Sequence, residues 1–534
     1  MATASPATAA APPATAPPDA TSGFPPWPQF IGFMLMACGM FMAILDIQIV
    51  SASLSQIQAG LAASADEISW VQTSYLVAEV VMIPLSGFLA RALSTRWLFT
   101  LSAGGFTVAS LLCSTASSID EMIVFRALQG FLGGAMIPTV YYAAFAMFGR
   151  QRQTGVTVAV SLIVTLAPTI GPSLGGWISE TFSWHWLFLV NLIPGILVTF
   201  GVWALVDFDK PDLKLLRQID FAGLIGMATF LGGLDFVLEE GARSDWFADP
   251  TVFRVALAAL LGAGLFVWRQ RTAPVPIVDL RAFNNLNFMA GTLMGAAFGV
   301  GLYGLVYLYP LYLSRVAQLS SGQIGGIVFV TGLFMAVSAP IVGGLSRRFD
   351  PRAVLTACFL LMALSCWMTH DINTDWRFGE LFWPQAIRGV ALICGIVSIS
   401  VTSFATLPAE RLKDASGLFT LMRNLGGAVG LALINTIVLW RYALHWGRLG
   451  EHANAGLPQV AARLETMTAL ATTRGLADPD AVAMRQLARE VQQQALVMSY
   501  ADCFTLLTVL FLIAACVPFL LKRPPTFDSP LAEH

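Results

Sequence analysis

The chain has 534 residues, 56% hydrophobic and 12% charged, with a mean hydropathy of +0.70. A soluble domain carries about 25% charged residues, so this composition excludes an ordinary soluble enzyme and describes a polytopic membrane protein. A net charge of -2 leaves no basic surface for nucleic acid.

The seven cysteines fall in apolar segments, without a CxxC pair or a histidine at metal spacing, and read as small core residues. There is no zinc signature, no ATP-binding P-loop and no nucleophile elbow. No metal, cofactor or catalytic residue is therefore expected, and transport would be driven by an ion gradient or be passive.

Residues 1–28 form the first segment. Met1 to Trp27 is rich in Ala, Thr and Pro and holds no Lys or Arg. That composition cannot build a core and lacks the basic start of a signal peptide, so a disordered tail is expected. Apolar runs of about 20 residues follow, each long enough for a bilayer core of about 30 Å. The first six are α1 Phe30–Ser53, α2 Ser69–Ala90, α3 Trp97–Ala116, α4 Met122–Met147, α5 Thr154–Ile178 and α6 Trp186–Val206. Next come α7 Phe221–Leu238, α8 Thr251–Trp268, α9 Phe288–Leu313 and α10 Ser321–Gly344. The last four are α11 Ala353–Met368, α12 Leu381–Thr406, α13 Ala415–Trp440 and α14 Met498–Leu521.

Alternate loops differ in basic residues. One set holds Arg91, Arg96, Arg150, Arg152, Lys210, Arg269, Arg281, Arg347, Arg348, Arg411 and Lys413, while the opposite short loops hold only Arg243, Arg315 and Arg377. Basic loops stay cytoplasmic, so both termini are placed in the cytoplasm. The long 441–497 segment then lies outside. Within it Ala481 to Gln494 is polar and helix-favouring. It reads either as a solvated hairpin or as a docking surface for a partner outside the membrane.

Pro84, Gly87, Leu89, Arg91 and Arg96 recur at identical spacing as Pro340, Gly343, Leu345, Arg347 and Arg352. Parallel repeats suit a transporter of two similar halves that rock about a central site. If α2 corresponds to α10, then α1–α6 correspond to α9–α14 and α7–α8 are an inserted pair. The expected domains are residues 29–206, the insertion 207–286, the second bundle 287–521 and a cytoplasmic tail 522–534.

In α5, Gly171 and Gly175 share one face, as do Pro168 and Pro172, and Gly176 follows directly. Small residues at that spacing let two membrane helices approach closely. Each proline removes a backbone donor and can bend the helix. This is either the seal of a pathway or ordinary bundle packing.

A charge in the bilayer core costs at least about 2.5–3.5 kcal/mol, so intramembrane ionisable residues are functional suspects. They are Asp46, Glu79, Arg126, Asp235, Arg254, Arg388, Arg423 and Asp502. Asp46 and Arg126 fall at similar depth and could pair. Glu79 falls near mid-membrane with no partner in its own helix, where burial favours the protonated acid. Asp235, Arg254 and Arg377 lie near helix ends and are expected to reach the interface. Arg388 and Arg423 are deeper, placed to neutralise a carboxylate or to bind an anionic group. Tyr303, Tyr307, Tyr309 and Tyr312 in α9 offer an aromatic lining.

Several segments resemble one family. Leu45-Asp46-Ile47-Gln48-Ile49-Val50 resembles LDxTIVNVAL, with Gln48 where Thr is usual, and Arg126-Ala127-Leu128-Gln129-Gly130 matches RxxQG. The α5 stretch from Leu166 to Gly176 resembles GxxxGPxxGG, the antiporter motif, and Trp186 to Pro194 resembles W-x-F-x-x-N-x-P. Together these look like the 14-helix drug:proton antiporter branch of the major facilitator superfamily, the EmrB/QacA type.

The resemblance implies an all-α transmembrane fold of two six-helix bundles plus two inserted helices. It implies a bacterial inner-membrane exporter, driven by the proton gradient, for small hydrophobic or amphipathic substrates among membrane lipids. A periplasmic adaptor and an outer-membrane channel would be its partners. Asp46, Glu79, Arg126 and Asp502 would handle protons. Gly87, Arg91, Gly343 and Arg347 would form a cytoplasmic gate. Gln129, Tyr307, Arg388 and Arg423 would border the substrate pathway. One departure stands out: Arg91 occupies the place of the family's loop aspartate, with no carboxylate near it in sequence. Export of an endogenous lipid, fatty acid or siderophore, nutrient symport, and a non-transporting scaffold are the rival readings.

Overall fold

The computed structural model describes residues 25–520 except 65, 66, 149, 405 and 454–456, and it leaves out the side chains of 150, 151, 153, 154, 165, 321, 347, 409 and 520. Of the expected tails 1–28 and 522–534, residues 1–24 and 522–534 lie outside the described residues, while Trp27 and Pro28 already belong to the first helix. Among the described residues no strand occurs. Thirteen helices are long and apolar enough to cross a membrane, and the 17-residue Pro351–Trp367 completes fourteen.

The first bundle comprises α1 Trp27–Ala52, α2 Trp70–Leu93, α3 Thr95–Ser114, α4 Ile119–Met147, α5 Arg150–Thr181 and α6 Trp186–Leu205. The insertion is α7 Phe221–Glu240 and α8 Pro250–Thr272. The second bundle comprises α9 Leu286–Arg315, α10 Ser321–Arg348, α11 Pro351–Trp367, α12 Phe378–Phe404, α13 Leu412–His452 and α14 Pro479–Ala514.

Local chemistry sets several starts. Ser118 accepts from the Glu121 amide, Asp249 from Thr251 and Val252, and Ser320 with Gln323 closes a capping box. Each satisfies backbone donors that a helix start leaves free. Among the described residues Pro84, Pro168, Pro172, Pro310, Pro340 and Pro384 sit inside helices.

Helix packing repeats across the halves. α1 packs on α5 and α6, α2 on α4, and α3 on α4 and α6. The same pairings return as α9 on α13 and α14, α10 on α12, and α11 on α12 and α14. The bundles join through α2 with α13 and through α5 with α10, contacts that the pairing exchanges. The inserted helices pack chiefly on each other. Of the two, α7 makes the main contact with the bundles, lying against α2 and α13. The fold is thus two six-helix bundles with a helical pair inserted at their seam.

The 441–497 segment differs from an outer loop. α13 continues to His452, Pro458–Thr473 is a separate helix, and α14 starts at Pro479. Met467, Ala471 and Ala483 pack between the latter two, and Arg463 pairs with Glu490 at 3.1 Å. From Pro479 to the expected membrane boundary near Met498, α14 adds about 30 Å of helix. We call this the hairpin end and the opposite, terminus-bearing end the tail end. A short helix, Leu54–Leu61, also follows α1 and had no sequence signal.

Candidate functional site

A cavity of about 560 Å³ lies between the bundles. Its rim is formed at the hairpin end by Gln56, Glu180, Ser314 and Gly325, and its floor by Glu79, Ile137 and Gly427. The α5 motif has two faces. Gly171 and Gly175 press on α1 at Gln48 and Ile49, where a methyl group on Gly175 would fall 2.5 Å from the Ile49 carbonyl. Pro168, Pro172 and Gly176 line the cavity instead. Ser173 and Thr169 also touch Gly325 and Gly332 of α10, so this helix seals one bundle against the other.

Glu79 is 3% exposed and stands on the cavity floor. The backbone of α4 comes close beside it because Gly130 and Gly134, four residues apart, face Tyr75 and Glu79. Among the described residues, Arg423 and Arg126 are the cations whose fields act on Glu79. Tyr307 lines the wall and donates to Asn435 at 2.8 Å, and Tyr303 beside it donates to Asn424 at 3.3 Å. Two further carboxylates reach the wall from α7, Asp235 and Glu239. Asp235 had been expected at the interface; it is 5% exposed and faces the cavity. Glu239 carried no sequence signal. Both positions depend on how α7 docks at the seam, and α7 is apolar around its circumference, so its buried face cannot be read from periodicity.

Asp46 and Arg126 do meet, but away from the cavity. Arg126 donates to Asp46 at 2.6 Å and to Gln129 at 2.7 Å. Gln129 donates to the second Asp46 oxygen at 3.1 Å, and Asn191 to the same oxygen at 2.7 Å. Arg126 further donates to the Val71 carbonyl and lies 4.3 Å from the Tyr75 ring centre. Every member is buried. The RxxQG motif and the asparagine of the α6 segment therefore converge on one carboxylate and tie α1, α2, α4 and α6 together. Gln129, expected along the substrate pathway, belongs to this network and not to the cavity wall.

The remaining residues are dispersed. Arg388 donates to the Leu305 carbonyl at 3.2 Å and lies over Tyr309. Arg423 donates to Tyr141 at 3.3 Å beneath the floor. Neither lines the cavity. Asp502 sits near the hairpin end, accepting from Arg441 at 2.5 Å and facing His445 at 2.6 Å, also off the cavity wall. The sequence reading had left Arg441 in a loop; the extension of α13 brings it there.

At the tail end the halves are locked. Arg91 pairs with Asp414 of α13, which supplies from the other bundle the carboxylate missing near Arg91 in sequence. Gly87 lets the Asp414 backbone abut α2. Lys413 donates to Asp209 at 2.6 Å, and Asp209 also accepts from Thr95. Gly343 has only loose contact with Val158, and the Arg347 side chain lies outside the described residues. No cluster of metal-binding side chains occurs among the described residues.

Two similar bundles around a central cavity, closed at one end and open at the other, define a membrane transporter and not an enzyme. The sequence matches the Major Facilitator Superfamily over residues 36–431. It is 38% identical to the "Colistin resistance protein EmrB" of Acinetobacter baumannii over 500 residues, 94% of this chain and 98% of that one. It is 28% identical to the "Multidrug export protein EmrB" of Escherichia coli, over 92% of this chain and 94% of that one. The proton:xylose symporter XylE shares the fold, with a TM-score of 0.58 at 10% identity, covering 93% of this chain and 98% of that one. The chain belongs to the major facilitator superfamily, in its 14-helix EmrB/QacA-type branch.

Proposed function

We propose that the protein is a proton-coupled multidrug efflux antiporter. It exports hydrophobic or amphipathic compounds across a bacterial inner membrane, with both termini in the cytoplasm. Multidrug export and colistin resistance in the names of its relatives support an exporter. The observation that carries the coupling is Glu79, a buried carboxyl on the floor of a cavity lined by both bundles and the α5 motif. A proton gained there from the outside and released inside would drive the exchange. The Asp46–Arg126 network, satisfied on both oxygens, holds the first bundle together. The helical hairpin is the docking surface for a periplasmic adaptor that leads to an outer-membrane channel.

The test is Glu79→Gln in proteoliposomes with a fixed pH gradient and a fluorescent substrate. Glutamine mimics the protonated acid, so the variant should bind substrate but lose gradient-driven export. Export at the wild-type rate with the wild-type pH dependence would make Glu79 structural.

A further inference from the structure

Among the residues lining the cavity are four carboxylates, Glu79, Glu180, Asp235 and Glu239, and no Lys, Arg or His. Two of the four come from α7, which belongs to neither bundle. Its docking there is specific. Glu240 accepts from Thr73 of α2 at 3.0 Å, and Trp70 packs on Phe236 with ring centres 5.3 Å apart. Trp246, just past α7, donates to Thr436 of α13 at 3.2 Å. The inserted helix is therefore pinned to both bundles at the open end of the cavity, with Asp235 and Glu239 turned inward one helical turn apart.

Asp235 is the decisive residue. It is 95% buried by difference from its 5% exposure, and its Oδ2 has no hydrogen-bond partner. The charged groups acting on it are Glu239 and Glu79, both acidic. An unpartnered carboxylate in an apolar wall is costly unless a cation or a donor reaches it. The surrounding wall supplies apolar and aromatic surface from Leu76, Tyr307 and Leu431.

We propose that Asp235 and Glu239 of the inserted pair form the recognition site for the positive group of a cationic amphiphile, whose apolar body lies against α2, α9 and α13. The site takes an organic cation in preference to an anion of equal size. This deepens the efflux reading by naming a substrate class, and it rests on that reading for its role in export.

The probes are tetraphenylphosphonium and tetraphenylborate, nearly equal in shape and opposite in charge. Binding of each to purified full-length protein is measured directly, without a gradient. Wild type should prefer the phosphonium, and Asp235→Asn with Glu239→Gln should weaken its binding about tenfold or more, equal to about 1.4 kcal/mol. Borate binding should hold or rise. A purely structural role would weaken both probes together. If the double variant does not fold, Glu239→Gln alone, at a half-buried position, is read for the same loss of charge preference. Wild-type preference for the borate, or variants that keep the phosphonium preference, would overturn the site. Gradient-driven export of an uncharged dye by wild type is read in parallel. Its absence would count against the efflux reading, while the binding comparison would still decide this site.

Discussion

The tail-end lock invites a quantitative test. Asp414 is 3% exposed and Arg91 24% exposed at the side chain, so their pair is largely shielded from water. A hydrogen bond to a charged group is worth about 1.5–3 kcal/mol. Removing it with Asp414→Asn should destabilise the conformation closed at the tail end by that amount. Where two conformations exchange, this moves the ratio about ten- to a hundredfold toward the one open at the tail end. The assay is a cysteine introduced at Ser314, on the rim of the cavity, read with a membrane-impermeant maleimide. Its labelling rate should fall in Asp414→Asn. The exchanged pair, Arg91→Asp with Asp414→Arg, should recover part of it, as a double-mutant cycle requires for a direct interaction. Equal rates in wild type and Asp414→Asn would show that the pair does not hold this conformation.

Gly175→Leu should block transport in protein that still inserts, because its side chain would enter the Ile49 backbone of α1, at an overpacking cost of about 1–3 kcal/mol. Gly264→Ala in α8, with open space around it, is the control and should transport normally. For orientation, Ala477→Cys, exposed beyond the Pro458–Thr473 helix, should react with an impermeant reagent in intact cells; reaction only after permeabilisation would reverse the topology. Arg126→Ala leaves Asp46 buried without its counter-charge and should cost about 3–5 kcal/mol, seen as a lower thermal midpoint. An unchanged midpoint would show that the pair does not hold the bundle together.

The spans were legible because an apolar run of bilayer length has few alternatives, and the α5 motif because its glycines repeat at helical spacing. A close helix approach at Gly171 and Gly175 follows from that spacing, but that the partner is α1 does not. What escaped the sequence involves partners far along the chain. Nothing near Arg91 announces Asp414, and nothing in α7 announces which of its faces meets α2. The length of α13 was also hidden. Beyond Trp440 its residues turn polar, and hydropathy ends the membrane span there although the backbone hydrogen bonds continue to His452. Asn191 shows an intermediate case. Its segment was recognisable, but its bond to Asp46 depends on how α6 lies against α1.

The buried charges divide in a way that bears on coupling. Asp46 has its cation within its own bundle, so its charge adds nothing to the force between the halves. Glu79 is different: of the two cations acting on it, Arg126 belongs to its own bundle and Arg423, the stronger, to the other. An ionised Glu79 attracts that guanidinium across the seam, and through a medium of low dielectric such attraction is large compared with its value in water. Protonation removes that attraction. A proton on Glu79 therefore changes the energy of bringing α2 and α13 together, whereas a proton on Asp46 would mainly weaken the interior of one bundle. That asymmetry supports the proposal that Glu79 carries the proton, and Arg423→Gln should accordingly alter the pH dependence of export more than the binding of an uncharged substrate.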